Sequence, residues 1–216
     1  MTPAYTTAGD GPLLVCHPGG PGRNPQYLRD LGGLAATRTL LYVHPRAVPM
    51  PDLADDLEDL RRHLGVERFD LLAHSAGAVV AQVFARRYPV GRLVLVTPSG
   101  LLQGVSGEDV SRPETYGTWN AAAQEHASTC DEEMDRYAER VFYDFDAPPP
   151  GTVTAETLVV AGGKDRLTPV AAAEAIRDEI PGATLVVMDG VGHYPWVEAP
   201  EEFAAIVEDF LARPRT

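Results

Sequence analysis

One segment of the chain has the sequence pattern expected for a reactive serine on a turn between a strand and a helix. The apolar run 71–73 leads into His74-Ser75-Ala76-Gly77, and an apolar helical stretch follows directly. A serine on such a sharp turn projects its hydroxyl above a sheet, and small neighbours are needed because the two backbones pass close together. The pattern predicts that Ser75 is a nucleophile. A chance serine in an ordinary strand-to-helix turn is the less favoured interpretation.

Two later strands lead to the other groups that such a serine needs. The apolar run 158–161 precedes Asp165, and a second run precedes His193. Because the carboxyl ends of parallel strands lie at one edge of a sheet, we expect these groups to converge on Ser75. His193 would then act as general base, with Asp165 holding its imidazole in one tautomer. Asp189 is the rival acid, and we interpret it as a brace of the histidine loop.

A loop rich in glycine and proline near the start of the chain predicts the rest of the site. It reads Pro18-Gly19-Gly20-Pro21-Gly22 and follows an apolar run. Glycines leave backbone N–H groups open to a ligand, and a reactive serine needs such donors for the oxyanion of its intermediate. We predict Gly20 N–H and Ala76 N–H as these donors, with Gly19 as the alternative to Gly20. Tight turning alone would also explain the glycines.

The elements that must position these residues follow a regular alternation. Short apolar runs alternate with amphipathic helical stretches, which is typical of a mostly parallel sheet covered on both faces. The runs lack polar alternation, as expected for strands buried on both faces. About six strands are predicted, at residues 12–16, 39–43, 69–73, 92–97, 157–161 and 184–188. Helices are predicted at 52–64, 76–88 and 201–212, and another begins at Thr168-Pro169 with the threonine as its cap.

Residues 101–150 interrupt this alternation with glycines, acids and a run of prolines. We therefore predict a core domain formed by residues 1–100 and 151–216. The interrupting segment would be a small lid inserted between two strands, partly helical around 119–141.

The composition of the chain limits the kinds of partner that we expect it to bind. The formal net charge of −13 repels phosphate backbones, so nucleic acid is not an expected partner. No run approaches the ~18 apolar residues of a membrane helix, and the N-terminus lacks the features of a signal peptide. We expect a cytoplasmic protein that acts on a small molecule, away from membranes. The two cysteines fit neither a zinc site nor a disulfide framework, and no metal or cofactor is expected. A single lysine among many arginines and alanines hints at a bacterial source.

These motifs together resemble the α/β-hydrolase superfamily, and within it the proline iminopeptidase-like branch. The similarity covers about residues 10–100 and 155–212. The matching segments are Gly19-Gly20-Pro21-Gly22, His74-Ser75, Gly163-Lys164-Asp165, and Gly192-His193 with Glu198-Ala199-Pro200. The resemblance implies the α/β-hydrolase fold and a serine hydrolase.

The chain departs from the family pattern in three places. About ten residues precede the first predicted strand, so the family's two further N-terminal strands are expected to be missing. The loop after 39–43 reads His44-Pro45-Arg46-Ala47 and is short, and the lid is about half the usual length. Such a lid would leave the pocket open and favour activated esters over peptide-like amides. If it leaves apolar surface exposed, a homodimer would cover that surface.

Two hypotheses of function follow. The leading one is a serine hydrolase that acts through an acyl-enzyme on a small ester, thioester, lactone or amide, with esterase activity ahead of aminopeptidase activity. The alternative is a non-hydrolytic or degenerate member of the fold, with a binding role or a biosynthetic acyl-transfer or cyclisation role. Only an activated serine reacts rapidly with a fluorophosphonate, which distinguishes the two.

Overall fold

The computed structural model describes residues 2–108, 111–130, 136–144 and 151–214. In this part of the chain, a seven-stranded sheet has the order β1-β3-β2-β4-β5-β6-β7. The strands are β1 (Ala4–Ala8), β2 (Leu13–His17), β3 (Thr39–His44), β4 (Asp70–His74), β5 (Leu93–Val96), β6 (Thr157–Gly162) and β7 (Thr184–Met188). Strand β1 is antiparallel to β3, and the other neighbouring strands pair in parallel. The chain has the α/β-hydrolase fold.

The two edge strands differ from expectation. Strand β1 was not predicted, so one of the N-terminal strands that we expected to be missing is present. All of its residues are exposed, and it therefore lacks the buried apolar face by which the other strands are recognised. Strand β7 lies where it was predicted, but most of its residues are exposed or half-buried because it has a neighbour on one side only.

Helices cover both faces of the sheet. They are α1 (Met50–His63), α2 (Gly77–Arg87), α3 (Ala121–Cys130), α4 (Arg136–Phe142), α5 (Val170–Glu179), α6 (Pro195–Glu198) and α7 (Pro200–Leu211). Short 3-10 helices lie at Pro25–Leu28, Leu34–Ala36, Leu101–Gln103 and Arg112–Thr115. Helix α5 begins later than predicted. Pro169 is its N-cap and Thr168 lies before it, because the Thr168 side chain bonds to Asp165 instead.

Strand residues alternate between two hydrophobic cores. In β4, Leu71 and Ala73 belong to the core beneath α1, α2 and α5, whereas Leu72 belongs to the core beneath α6 and α7. Both faces of each central strand are therefore apolar, which explains the unbroken apolar runs in the sequence.

The segment between β5 and β6 carries two of the 3-10 helices together with α3 and α4, where helical structure was predicted. The proline run at 148–150 lies outside the described residues. No described helix has both the length and the apolar character needed to cross a membrane.

Candidate active site

Ser75 occupies a strained turn between β4 and α2. Its φ of 53° lies in the left-handed region, which costs free energy for a residue with a side chain. Its backbone is fixed on both sides, because Ser75 N donates to Val96 O at 3.0 Å and Ser99 N donates to Ser75 O at 3.1 Å. The local sequence folds in this way because β4 and α2 meet at small residues. The serine is thereby held at the carboxyl edge of the sheet.

Two glycines permit the close packing around this turn. A Cβ added to Gly77 would lie 2.2 Å from the backbone oxygen of Pro18, and one added to Gly19 would lie 2.7 Å from Ser75 Cβ. Contacts of this length to backbone or to a rigid turn have no room to relax. The glycine loop after β2 therefore rests directly against the turn that carries Ser75.

Asp165 and His193 are brought together as predicted from their positions after β6 and β7. The His193 Nδ1 atom lies 2.7 Å from Asp165 Oδ2, and both side chains are buried. Since a carboxylate oxygen accepts, Nδ1 carries the hydrogen and Nε2 is left as a proton acceptor. The rival acid, Asp189, is exposed.

The Asp165 carboxylate has further donors. Leu167 N and Thr168 N each donate to Oδ1 at 2.9 Å, and the Thr168 hydroxyl lies 2.6 Å from Oδ2. Burial would raise the pKa of Asp165, but the nearby His193 and the bonds from His193 and Thr168 outweigh it and hold this pKa below its usual value. Asp165 is therefore a carboxylate at neutral pH.

The backbone of His193 is held at both of its polar groups. His193 N donates to Thr115 O at 2.7 Å, and His193 O accepts from His74 Nε2 at 3.0 Å and from the Thr97 hydroxyl at 3.1 Å. These contacts come from the ends of β4 and β5 and from the 3-10 helix Arg112–Thr115. The position of the imidazole is thus set by several elements together.

Ser75 and His193 line one cavity of about 280 Å³. The other described lining residues are Gly20, Arg23, His74, Arg112, Thr115, Tyr116, Leu167 and Tyr194. Among the described contacts, the Ser75 hydroxyl makes no hydrogen bond with His193. Such bonds are often long without substrate and tighten in the substrate complex.

The two candidate glycines of the oxyanion loop differ in their contacts. Gly20 lines the cavity and has a φ of 57°, which a glycine adopts without strain. The Gly19 N–H instead donates to the Tyr27 hydroxyl at 2.6 Å. Ala76, the third candidate, is the N-cap of α2 beside Ser75. The Gly19 N–H is therefore already engaged by a side chain of the protein, whereas Gly20 lies at the cavity.

The sequence analysis named Glu198 only as part of a segment that matches the family, and it assigned this residue no role in supporting the site. Its carboxylate accepts from Gly117 N at 2.7 Å, from Thr118 N at 3.2 Å and from Gly192 N at 2.9 Å. Burial raises the pKa of Glu198 in spite of these bonds. Glu198 joins the segment before α3 to the histidine loop. The signal in the sequence was the match of Glu198-Ala199-Pro200 to the family pattern.

Arg23, Arg112 and Tyr27 were also missed. Both arginines lie on the cavity wall, and the Arg23 guanidinium stacks over the Tyr27 ring at 4.4 Å. No pattern in the sequence marks them, because important partners, such as Tyr194 for Arg23 and His74 for Tyr27, are distant along the chain. Among the described residues, no group of three or more His, Cys, Asp or Glu side chains is placed to hold a metal ion.

A mostly parallel sheet with a strained serine turn after β4, an acid after β6 and a histidine after β7 is the architecture of an α/β hydrolase. Residues 13–206 match the model of the Alpha/beta hydrolase family, and the chain belongs to that family.

Several of the similar proteins are named as hydrolases. The chain is 29% identical over 180 residues to a 2-hydroxymuconate semialdehyde hydrolase of Pseudomonas putida, a match covering 69% of the chain and 64% of that protein. It is 26% identical to a 2-hydroxy-6-oxo-6-phenylhexa-2,4-dienoate hydrolase of Comamonas testosteroni, in a match covering 96% of the chain and 90% of that protein. A solved structure of the hydrolase with that same name from Rhodococcus sp. strain RHA1 superposes with a TM-score of 0.79 at 17% identity, covering 97% of the chain and 94% of its own.

Proposed function

We propose that this chain is a serine hydrolase in which Ser75, His193 and Asp165 catalyse hydrolysis of a small ester, thioester, lactone or amide through an acyl-enzyme. The 2.7 Å contact between His193 Nδ1 and Asp165 Oδ2, beside a cavity that His193 shares with Ser75, carries the proposal. It orients the imidazole so that Nε2 is the atom left to accept a proton.

The reaction has two halves. Ser75 Oγ attacks the substrate carbonyl while His193 Nε2 takes the hydroxyl proton, and the N–H groups of Gly20 and Ala76 stabilise the resulting oxyanion. The tetrahedral intermediate expels the alcohol, thiol or amine, which receives the proton from His193. Water then attacks the acyl-enzyme in the same way, releasing the acid and restoring the Ser75 hydroxyl.

Substrate size and type follow from the cavity and the segment above it. A volume of about 280 Å³ suits a small acyl group, and we propose that residues 101–150 act as a short lid over it. Few remote contacts are then present to position a poor leaving group. Activated short-chain esters should therefore be better substrates than a proline arylamide. A preference for the arylamide would instead support the proline iminopeptidase-like branch.

Covalent labelling with a fluorophosphonate tests the proposal against the non-hydrolytic alternative. The wild-type protein should label rapidly and hydrolyse 4-nitrophenyl acetate. Ser75→Ala should lose labelling, and Ser75→Ala and His193→Ala should each lower kcat by on the order of 10⁴–10⁶. Ser106→Ala, which alters an exposed serine, is the matched control and should behave as wild type. A wild-type protein that neither labels nor turns over would favour the binding role.

A second candidate, hydrolysis of an acidic substrate, is favoured by the two arginines on the cavity wall. The Comamonas testosteroni relative is named for a dienoate, which carries a carboxylate, and guanidinium groups bind carboxylates well. Under this candidate, Arg23→Gln or Arg112→Gln should raise KM for the mono-4-nitrophenyl ester of glutaric acid and leave KM for 4-nitrophenyl butyrate unchanged. Equal changes for both esters would exclude charge recognition.

A further inference from the structure

A continuous chain of hydrogen bonds joins the glycine loop to the histidine loop. Gly19 N lies 2.6 Å from the Tyr27 hydroxyl, which lies 2.8 Å from His74 Nδ1. At the other side of the same ring, His74 Nε2 lies 3.0 Å from His193 O. Tyr27 and His74 are both buried, so these bonds are shielded from water.

The chemistry of the two ends fixes the direction of every bond in this chain. The backbone oxygen of His193 can only accept, so His74 Nε2 carries the hydrogen and Nδ1 accepts one from Tyr27. The Tyr27 oxygen then accepts from the Gly19 N–H, which can only donate. Burial lowers the pKa of His74 well below its usual value, so the ring keeps this single neutral tautomer.

Helix α3 reaches the same tyrosine from the other side. His126 Nε2 lies 2.8 Å from Tyr27 O, and its Nδ1 lies 2.7 Å from the Tyr116 hydroxyl. The Trp196 ring nitrogen also donates to Tyr27 O at 3.4 Å. The main chain of Tyr27 is thus anchored while its hydroxyl makes the bonds to Gly19 and His74.

We propose that Tyr27 and His74 are positioning residues, which hold the Gly19-Gly20 loop and the backbone of His193 at a fixed distance on either side of Ser75. The inference rests on the proposed hydrolase function. Because Gly19 packs against the Ser75 turn with no room for a Cβ, a shift of the loop moves the neighbouring Gly20 N–H relative to the reacting carbonyl. Tyr27 and His74 do not have to contact the substrate in order to position the two loops through these hydrogen bonds.

Tyr27→Phe tests the proposal, with Tyr42→Phe as its matched control. Both changes remove one hydroxyl from a buried tyrosine of the same core, but the Tyr42 hydroxyl donates to Arg29 O and takes no part in the bonds between Gly19 and His74. For 4-nitrophenyl acetate, Tyr27→Phe should lower kcat by about 10- to 100-fold, less than loss of an oxyanion donor itself, and leave KM within about twofold. Tyr42→Phe should leave both constants unchanged.

The affinity for a trifluoromethyl ketone is a second measurement, and a general loss of stability does not change it. The ketone binds as a tetrahedral oxyanion, so its affinity reports on the oxyanion donors. Its affinity should fall in Tyr27→Phe by the same factor as kcat, measured where urea titration shows both variants fully folded. Unchanged kcat and unchanged ketone affinity in Tyr27→Phe, or equal losses in the two variants, would overturn the inference. If the wild-type protein itself neither hydrolyses the ester nor binds the ketone, the proposed function fails rather than the positioning role.

Discussion

At the scale of single residues, the Asp165 carboxylate has hydrogen-bond partners at both of its oxygens. Its two oxygens are contacted by the His193 ring, the Thr168 hydroxyl and two backbone N–H groups. Several donors around a buried carboxylate stabilise its charged form, which in turn stabilises the imidazolium formed when His193 takes a proton.

Replacing Asp165 by asparagine should lower kcat by about 10⁴-fold with little change in volume. The amide keeps one acceptor, but its NH₂ group would face groups that donate to the carboxylate, so His193 loses its preferred tautomer. Steady-state kinetics on 4-nitrophenyl acetate measure the effect.

Asp189→Asn is the matched control for this change. It alters an exposed aspartate on the same loop as His193, and its kcat should stay within about twofold of wild type. A larger loss in Asp189→Asn than in Asp165→Asn would show that the acid has been assigned wrongly.

At the scale of elements, Glu198 at the end of α6 connects two segments that the sheet does not hold together. Its carboxylate accepts backbone N–H groups from the segment before α3 and from the histidine loop. Gly117 is needed at this junction, because a Cβ there would lie 2.0 Å from Gly190 O. The segment above the cavity is therefore docked on the loop that carries His193.

Glu198→Ala should reduce the free energy of unfolding by about 2–4 kcal/mol, because it leaves the N–H groups of Gly117, Thr118 and Gly192 without their acceptor. The same change should weaken the docking of the segment on the His193 loop and lower kcat. Urea denaturation and ester hydrolysis measure the two effects.

Glu201→Ala provides the comparison, since Glu201 is an exposed acid in the first turn of the next helix. Its unfolding free energy should change by less than about 1 kcal/mol. If Glu198→Ala is no more destabilising than Glu201→Ala, the three backbone contacts do not hold the segment.

At the scale of the whole molecule, buried neutral histidines link stability to pH. Burial is the main cause that lowers the pKa of His17 and of His126 from 6.5 to about 4, and it also holds the pKa of His74 well below 6.5. The unfolded chain binds protons at these histidines near pH 6.5, whereas the folded chain resists them. Stability is therefore full above pH 6.5 and is lost as pH falls towards 4.

Urea unfolding at pH 7, 6, 5 and 4.5 should show a free energy that decreases through this window. A shift from 6.5 to about 4 corresponds to roughly 3 kcal/mol for one histidine, as an order of magnitude. The pKa of Asp165 is held below its usual value by His193 and Thr168, so protonation of this carboxylate affects stability at lower pH than these histidines do.

His126→Gln should reduce the number of protons taken up on unfolding in this window by about one, so that the free energy of unfolding decreases less steeply with falling pH. His63→Gln, at the exposed end of α1, should leave the slope unchanged. Identical slopes in His126→Gln and wild type would show that His126 is not a source of the pH dependence.

Much of the framework could be predicted from the sequence because its signals are local. Apolar runs mark β2 to β7 to within a residue or two at each end, since each signal is contained in a few consecutive residues. The same holds for the turn around Ser75, whose neighbours must be small. The loops of Asp165 and His193 were located because each follows such a strand.

The tertiary structure alone decided what surrounds those residues. Tyr27 meets His74 and His126, and Glu198 meets Gly117, across long stretches of sequence that the sheet order brings together. No local pattern encodes such a contact. Strand β1 was missed for a related reason, since an exposed edge strand is stabilised by its pairing with β3 rather than by an apolar face. Burial likewise sets the neutral state of the histidines, because the cost of charging a side chain depends on the neighbours that exclude water from it.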